Sequence, residues 1–413
     1  MTEDWKDWWH KDKTQIEEAL KRLNYAIDSL AEPKNPPLSG VLGKSRVWLL
    51  FFTPKNGYPQ NLIAKVDLPE RAVKEWKAIE QIRNAPLRIE AMLPHPRNTQ
   101  DDKVVIYPNV SDLVETGRIW TLTELLINQL EHETGNNCCT ALTKTVDALK
   151  SFYRFEPGAA QLVSLGGYTW NSAFPDLSDK MQGYTLDSSW VTACFRPLKN
   201  PLECFDKTIR EAHGRILQSR IHGDLNLTNI IVGLKGDYSP DRVFLIDLAE
   251  SRSDVPTALD FARLECEFWH EVFAEYGKQL AIDDMKWLNN YITLRDYLDR
   301  GDGDVANLPI FSLKALLWVH TLRKEASTVL RNSVPESEYR MAEYMTAIYL
   351  TELRSLHYSS VGNVKIKQQI TWLGASISYE YLNKLHSGRN PRIPFLTNET
   401  VKSVEDFIKK KSS

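Results

Sequence analysis

Arg220-Ile221-His222-Gly223-Asp224-Leu225-Asn226-Leu227-Thr228-Asn229-Ile230-Ile231-Val232, followed by Phe244-Leu245-Ile246-Asp247, decides how this chain is read. It sets a carboxylate at Asp224, an amide five positions on at Asn229, and a second carboxylate, Asp247, at the end of an apolar strand. Asp224 suits orienting or deprotonating a hydroxyl, and Asn229 and Asp247 offer hard oxygen ligands for magnesium, which takes one or two protein oxygens beside phosphates and water. That donor set is the one phosphoryl transfer from a metal-bound nucleotide needs. The runs 229–232 and 241–247 read as a hairpin that brings Asn229 and Asp247 together.

The constellation resembles the His-Gly-Asp-x-x-x-x-Asn motif and following metal Asp of the aminoglycoside and choline phosphotransferase-like kinases, distant relatives of the protein kinases. His222-Gly223-Asp224 stands where protein kinases carry His-Arg-Asp, and Asp247-Leu248-Ala249 stands for their Asp-Phe-Gly. The resemblance implies a two-lobed α+β fold, with a small antiparallel-sheet lobe before a large, mostly helical one. On that expectation residues 1–37 form an N-terminal amphipathic helix, 38–108 the first lobe, and 109–413 the helical lobe with an insertion near 157–202.

The flanking sequence fits. Leu38-Ser39-Gly40-Val41-Leu42-Gly43-Lys44-Ser45 precedes a strand over 46–52, and a turn with Asn56-Gly57 leads to a second strand over 61–66. Gly40 and Gly43 let backbone amides approach phosphate without a Cβ in the way, and the segment through Ser45 resembles the phosphate-covering loop of kinase-like folds. A P-loop is excluded: Leu38 stands where its first glycine belongs, and a strand follows where it needs a helix.

Lys65 occupies the place of the phosphate-holding lysine, on the same strand face as Ile63. A carboxylate from the helix opening at Pro69 is expected to pair with it, because an unpaired half-buried ammonium is costly. Glu75, followed by Ile79 and Ile82, resembles the family's glutamate, with Glu80 in reserve; periodicity does not separate them. Ile106, Tyr107 and Asn109 fall where kinase-like folds place the hinge to adenine. Asp260 reads as a helix N-cap and also resembles the family's acidic brace of the catalytic loop. Glu265, Glu267 and Glu271 read as a solvated helix face, with a pocket for a cationic acceptor as the other reading, and Arg323 as a surface or core basic residue.

An apolar stripe of Trp5, Trp8, Ile16, Leu20, Leu23, Ile27 and Leu30 makes residues 4–31 an amphipathic helix, expected to pack on the first lobe, while its tryptophans also suit a protein partner. Helices are expected over 121–132, 138–155, 283–298, 311–331, 336–357 and 364–386, with 409–413 a frayed basic end.

Of 413 residues, 42% are apolar and 25% charged, ordinary proportions for a soluble protein, and a net charge of −3 gives no footprint for nucleic acid or an acidic membrane. The five cysteines, Cys138, Cys139, Cys194, Cys204 and Cys266, lack zinc spacing and read as free thiols. No leader-like apolar stretch or membrane-length run is seen, so the expected compartment is the cytoplasm.

The expected function is an ATP- and Mg²⁺-dependent phosphotransferase moving the γ-phosphate to a hydroxyl acceptor, most simply a small molecule. A pseudokinase or nucleotide-sensing module in a bacterial conflict or defence system is the alternative, and nucleotidyl transfer a third. The chain order and helical tail also look similar to the phosphotransferase-like domains of bacterial ternary-complex conflict systems.

Overall fold

The computed structural model describes residues 5–22, 30–33, 38–39, 45–52, 60–83, 103–108, 114, 118–131, 137–153, 160–164, 170, 173–181, 198–203, 205, 213–236, 239–280, 282–301, 304–330, 337–362, 364–387 and 396–412. Gly40, Gly43, Asn109, Cys194, Cys204 and most of the expected insertion at 157–202 lie outside these, as does the side chain of Glu80. The chain divides into two compact units, residues 1–119 with 233–252, and residues 120–232 with 253–413. The expected domains broke near 108; the observed first unit also takes in the segment carrying Asp247.

The first unit carries α1 (Trp5–Arg22), β1 (Leu38–Ser39), β2 (Arg46–Phe52), β3 (Gln60–Val66), α2 (Pro69–Arg83) and β4 (Val104–Pro108). Its four strands form one antiparallel sheet in chain order, with Val47 opposite Lys65 and Lys65 opposite Val105. Ser45 runs directly into β2, so the glycine-containing segment leads to a strand, as its rejection as a P-loop required.

Strand alternation sorts the two faces. Trp48, Leu50, Leu62, Ala64, Val66 and Ile106 pack with Trp9, Ile16 and Leu20 of α1, and Trp5 and Trp8 lie half-buried against the same cluster. The Trp9 and Trp48 rings meet edge to face at 5.1 Å. Asp12, buried among these rings, accepts from Arg46 Nε and Nη2, each at 2.6 Å, and from Trp48 Nε1 at 2.8 Å. The apolar stripe of α1 is therefore packed within its own unit, as expected of a helix laid on the first lobe.

The second unit is mostly helical. Its helices begin with α3 (Leu122–Glu131) and α4 (Asn137–Phe152), and continue with Ala258–Glu267, Ala274–Gln279, Asp284–Arg300, Ile310–Leu330, Ser337–Ser355, Lys365–His386 and Asn398–Ser412. The last of these replaces the expected frayed end: Lys411 Nζ donates to the Leu308 carbonyl at 2.9 Å. A π-helical segment, Phe268–Phe273, joins the first two helices after α4 named here. Apart from these helices, β5 (Ile119–Thr121), β6 (Ala160–Ser164), β7 (His213–Ile221), β8 (Ile230–Leu234), β9 (Pro240–Leu245) and β10 (Arg252–Pro256) form two further three-stranded sheets, ordered β10-β7-β6 and β5-β8-β9, with β9 belonging to the first unit. β8 and β9 are neighbours, and Lys235 N–H donates to the Ser239 carbonyl at 2.8 Å, in keeping with the expected hairpin.

The α+β class and the order of elements, with a small antiparallel sheet first and helices after, are as the kinase-like resemblance implied. One expectation is corrected in the helical core: Glu265 does not lie on a solvated face. Of the two readings of Arg323, surface or core, the core one holds, and both residues are fully buried. Arg323 donates to Glu265 Oε1 at 2.6 Å and Oε2 at 2.9 Å and also pairs with Asp299, while Tyr344 donates to Glu265 at 2.7 Å. Two buried charges of opposite sign, each with further hydrogen bonds, meet the condition under which burial of ions is tolerated. Glu271 instead pairs with Lys367 at 2.6 Å. Among the described residues, no helix is long and apolar enough to cross a membrane, and Cys138, Cys139 and Cys266 are free.

Candidate functional site

Each unit holds a polar constellation of its own. In the first, Lys65 projects from β3 on the face opposite the α1 cluster and is buried, its Nζ 2.8 Å from Glu75 Oε2 and 2.7 Å from Asp247 Oδ1. Glu75, on the inward stripe of α2, is 0% exposed and takes a second hydrogen bond from the Tyr107 hydroxyl. Burial works against the Lys65 ammonium, but Glu75 and Asp247 outweigh it and raise its pKa above the ordinary lysine value, so it stays charged. Tyr107 and Ile106 lie on β4, paired along their length with β3, with Ile106 turned into the core. Tyr107 thus reaches the Lys65–Glu75 pair through its side chain, a role the sequence reading, which considered its backbone, did not assign.

Asp247 sits in the left-handed region, φ 59° and ψ 63°, before a single 3₁₀ turn, Leu248–Glu250. A non-glycine residue there carries roughly 1–3 kcal/mol of strain, and such residues cluster at functional sites. The turn is tied to α2 by Arg71, which pairs with Glu250 at 3.2 Å and with Asp67 at 3.3 Å. Asp67, Glu75, Asp247 and Glu250 thus face only Lys65 and Arg71 within this cluster, and the side chain of Asp247 remains 29% exposed. An excess of carboxylates, with Asp247 and Glu250 both accessible, fits a divalent cation. No group of three or more His, Cys, Asp or Glu able to hold a metal occurs among the described residues; magnesium, which draws most of its ligands from phosphate and water, does not require one.

In the second unit, β7 ends at Ile221 and the chain enters a loop built on Asp260. Asp260 Oδ2 accepts from His222 N–H at 2.8 Å and Oδ1 from Gly223 N–H at 3.0 Å, with the Tyr153 hydroxyl adding a bond at 3.3 Å. Asp260 is therefore not the N-cap the sequence suggested: that position is Thr257, and Asp260 lies within the first turn, turned into the loop. Burial pushes its carboxyl upward, against the loop N–H groups that favour the charged form. His222 is fully buried beneath the loop, and Gly223 has φ 84°, a conformation that favours glycine.

Beyond Asp224 the loop closes on itself. Asn226, a residue the sequence reading passed over, caps the 3₁₀ turn Leu227–Asn229, its side chain accepting from Thr228 N–H at 3.1 Å and Asn229 N–H at 2.9 Å. Asn229 Nδ2 donates to the Asp224 carbonyl at 2.8 Å. With its nitrogen engaged, the Asn229 amide has a fixed orientation that turns its oxygen the other way, as a metal ligand requires. The Asp224 carboxylate is 35% exposed and lies 3.5 Å from Arg263 Nη2, a neighbour the sequence reading did not find.

A family model described as ternary complex associated domain 9 matches residues 185–357, a span that includes His222, Asp224, Asn229, Asp247 and Asp260. It agrees with the resemblance to conflict-system domains drawn from the sequence. No curated protein matches. Among solved structures, the chain is similar to a point mutant of aminoglycoside 2′-phosphotransferase-IIIa in complex with GDP, at 10% identity and a TM-score of 0.42 over 91% of this chain and 99% of that one. It is also similar to a choline/ethanolamine kinase family protein from Mesorhizobium loti, at 12% identity and a TM-score of 0.31 over 87% and 99%. A glucosamine kinase follows at 10% identity and a TM-score of 0.43 over 88% and 83%. At these scores the chemistry rests on the residues of this chain.

Proposed function

We propose that this protein is a phosphotransferase that moves the γ-phosphate of a nucleoside triphosphate, ATP in the first instance, to a hydroxyl acceptor, most simply a small molecule. The observation that carries the reading is Lys65, buried and held charged between Glu75 and an Asp247 of strained backbone. A core that only needed packing would gain nothing from burying an ammonium; a site that holds phosphate oxygens does.

In this reading Lys65 takes the phosphates, kept in place by Glu75 and, through Glu75, by Tyr107. The segment of Gly40, Gly43 and Ser45 would cover the phosphates, and the backbone at Ile106, Tyr107 and Asn109 would meet the base. Asn229 and Asp247 would hold Mg²⁺, which when bound neutralises charge on the phosphates. Asp224 accepts a hydrogen bond from the acceptor hydroxyl and takes its proton as the new O–P bond forms and the nucleoside diphosphate leaves. His222 and Asp260 hold the loop that presents Asp224. Positioning and charge compensation supply the acceleration.

Asp224→Ala tests the assignment: turnover should fall by about 10³-fold or more while ATP affinity, measured by calorimetry with Mg²⁺, stays within about threefold. Unchanged turnover in this variant would remove Asp224 from the chemistry.

A further inference from the structure

The helix Ala258–Glu267 presents Asp260, Arg263 and Glu267 at spacings of three and four, so the three share one face. Asp260 supports the backbone of the 222–224 loop, and Arg263, one turn further, reaches the side chain that loop presents. Arg263 is itself fixed: Glu267 holds Nη2 at 2.9 Å, and the guanidinium lies 5.1 Å from the centre of the Tyr358 ring. Its Nε is buried without a hydrogen-bond partner among the described residues, so the side chain makes an incomplete set of bonds in order to stay where it is.

We propose that Arg263 is a positioning residue for Asp224, with Glu267 and Tyr358 as the supports that aim it; the inference rests on the phosphotransferase reading above. A loop aspartate one-third exposed has rotamers to choose from, and a group that takes a proton must be held to within about 10–20° of its working direction. Arg263 draws Oδ1 toward itself, which leaves Oδ2 for the acceptor. At 3.5 Å the contact is a charge attraction that orients the carboxylate and leaves it accessible. A planar guanidinium held over a ring and by Glu267 presents its donors in one plane, and a lysine ammonium has none, so the two are not interchangeable here.

The test uses the 413-residue wild type, Arg263→Met, Arg263→Lys, Arg263→Ala for chemical rescue, Asp224→Asn and the double variant Arg263→Met/Asp224→Asn. In Mg²⁺–ATP turnover, Arg263→Met is expected to lower kcat by ~10–100-fold with KM for ATP within about twofold, and Arg263→Lys to recover part of the loss. Millimolar guanidinium should raise the turnover of Arg263→Ala several-fold and leave Asp224→Asn unchanged. Melting temperatures of the singles and the double should be non-additive by ~1 °C or more, as for side chains in contact. A kcat for Arg263→Met within about twofold of wild type, or no response to guanidinium, overturns the inference and leaves the reading standing. Absence of turnover in wild type overturns the reading itself, and the melting cycle then still decides the contact: additive shifts reject it.

Discussion

Glu343 gives a pH dependence that can be worked from its surroundings. It lies on the helix Ser337–Ser355, buried, with Oε2 accepting from Leu217 N–H of β7 at 3.1 Å and Oε1 without a partner among the described residues. Burial pushes its carboxyl up to about 8, against the Leu217 and Ala258 N–H groups that favour the charged form. The sign follows from proton counts. Between an ordinary glutamate value and about 8 the folded carboxyl keeps a proton that the unfolded one has lost, so stability is greatest below the unfolded pKa and falls as pH rises toward 8. At roughly 1.4 kcal/mol per pH unit, the group withdraws about 4–5 kcal/mol across the window from 4.5 to 8 at most. Glu343→Gln keeps the acceptor oxygen for Leu217 and removes the titration. Thermal melts of wild type and variant from pH 5 to pH 9 should agree within a few degrees at the acid end, and the variant should gain steadily on wild type up to pH 8. Parallel curves across the whole range would refute the reasoning, because they would mean Glu343 binds protons alike in both states.

Two further outcomes concern packing. Asp12→Ala leaves the Arg46 fork and the Trp48 indole N–H without their shared acceptor, and should cost about 2–3 kcal/mol in chemical denaturation, with the loss seen in the fluorescence of the tryptophans around Trp48. Arg323→Met takes the paired cation from Glu265 and leaves Asp299 only Arg295, and should cost about 3–5 kcal/mol, lowering the yield of folded protein.

The sequence showed most where local pattern carries the information. The strands around Lys65 and the helices of the second unit fall within a few residues of where alternation and the threes-and-fours spacing put them. The His222–Asn229 motif could be read because its parts lie within one loop, and Glu75 was separated from Glu80 by the family pattern where periodicity could not. What stayed hidden were partners chosen by tertiary packing. Asp12 finds Arg46 across 34 positions, and Glu265 finds Arg323 across 58. Helical spacing says which face a charge occupies and nothing of what faces it, so Glu265 looked solvated and Arg263 went unnoticed. Asp260 was half legible for a related reason: an acidic residue beside a helix start suits a cap, which it is not, and only the resemblance pointed to the loop it braces, 37 and 38 positions away.

The most direct measurement follows both labelled γ-phosphate and labelled α-phosphate of ATP with Mg²⁺, for wild type beside Asp247→Ala. The account predicts that γ-label leaves ATP with wild type only, to water slowly and to an acceptor hydroxyl faster, while α-label stays in the nucleotide. Transfer of α-label would make the protein a nucleotidyltransferase, and γ-label leaving equally well with Asp247→Ala, or no nucleotide bound by wild type at all, would contradict the account.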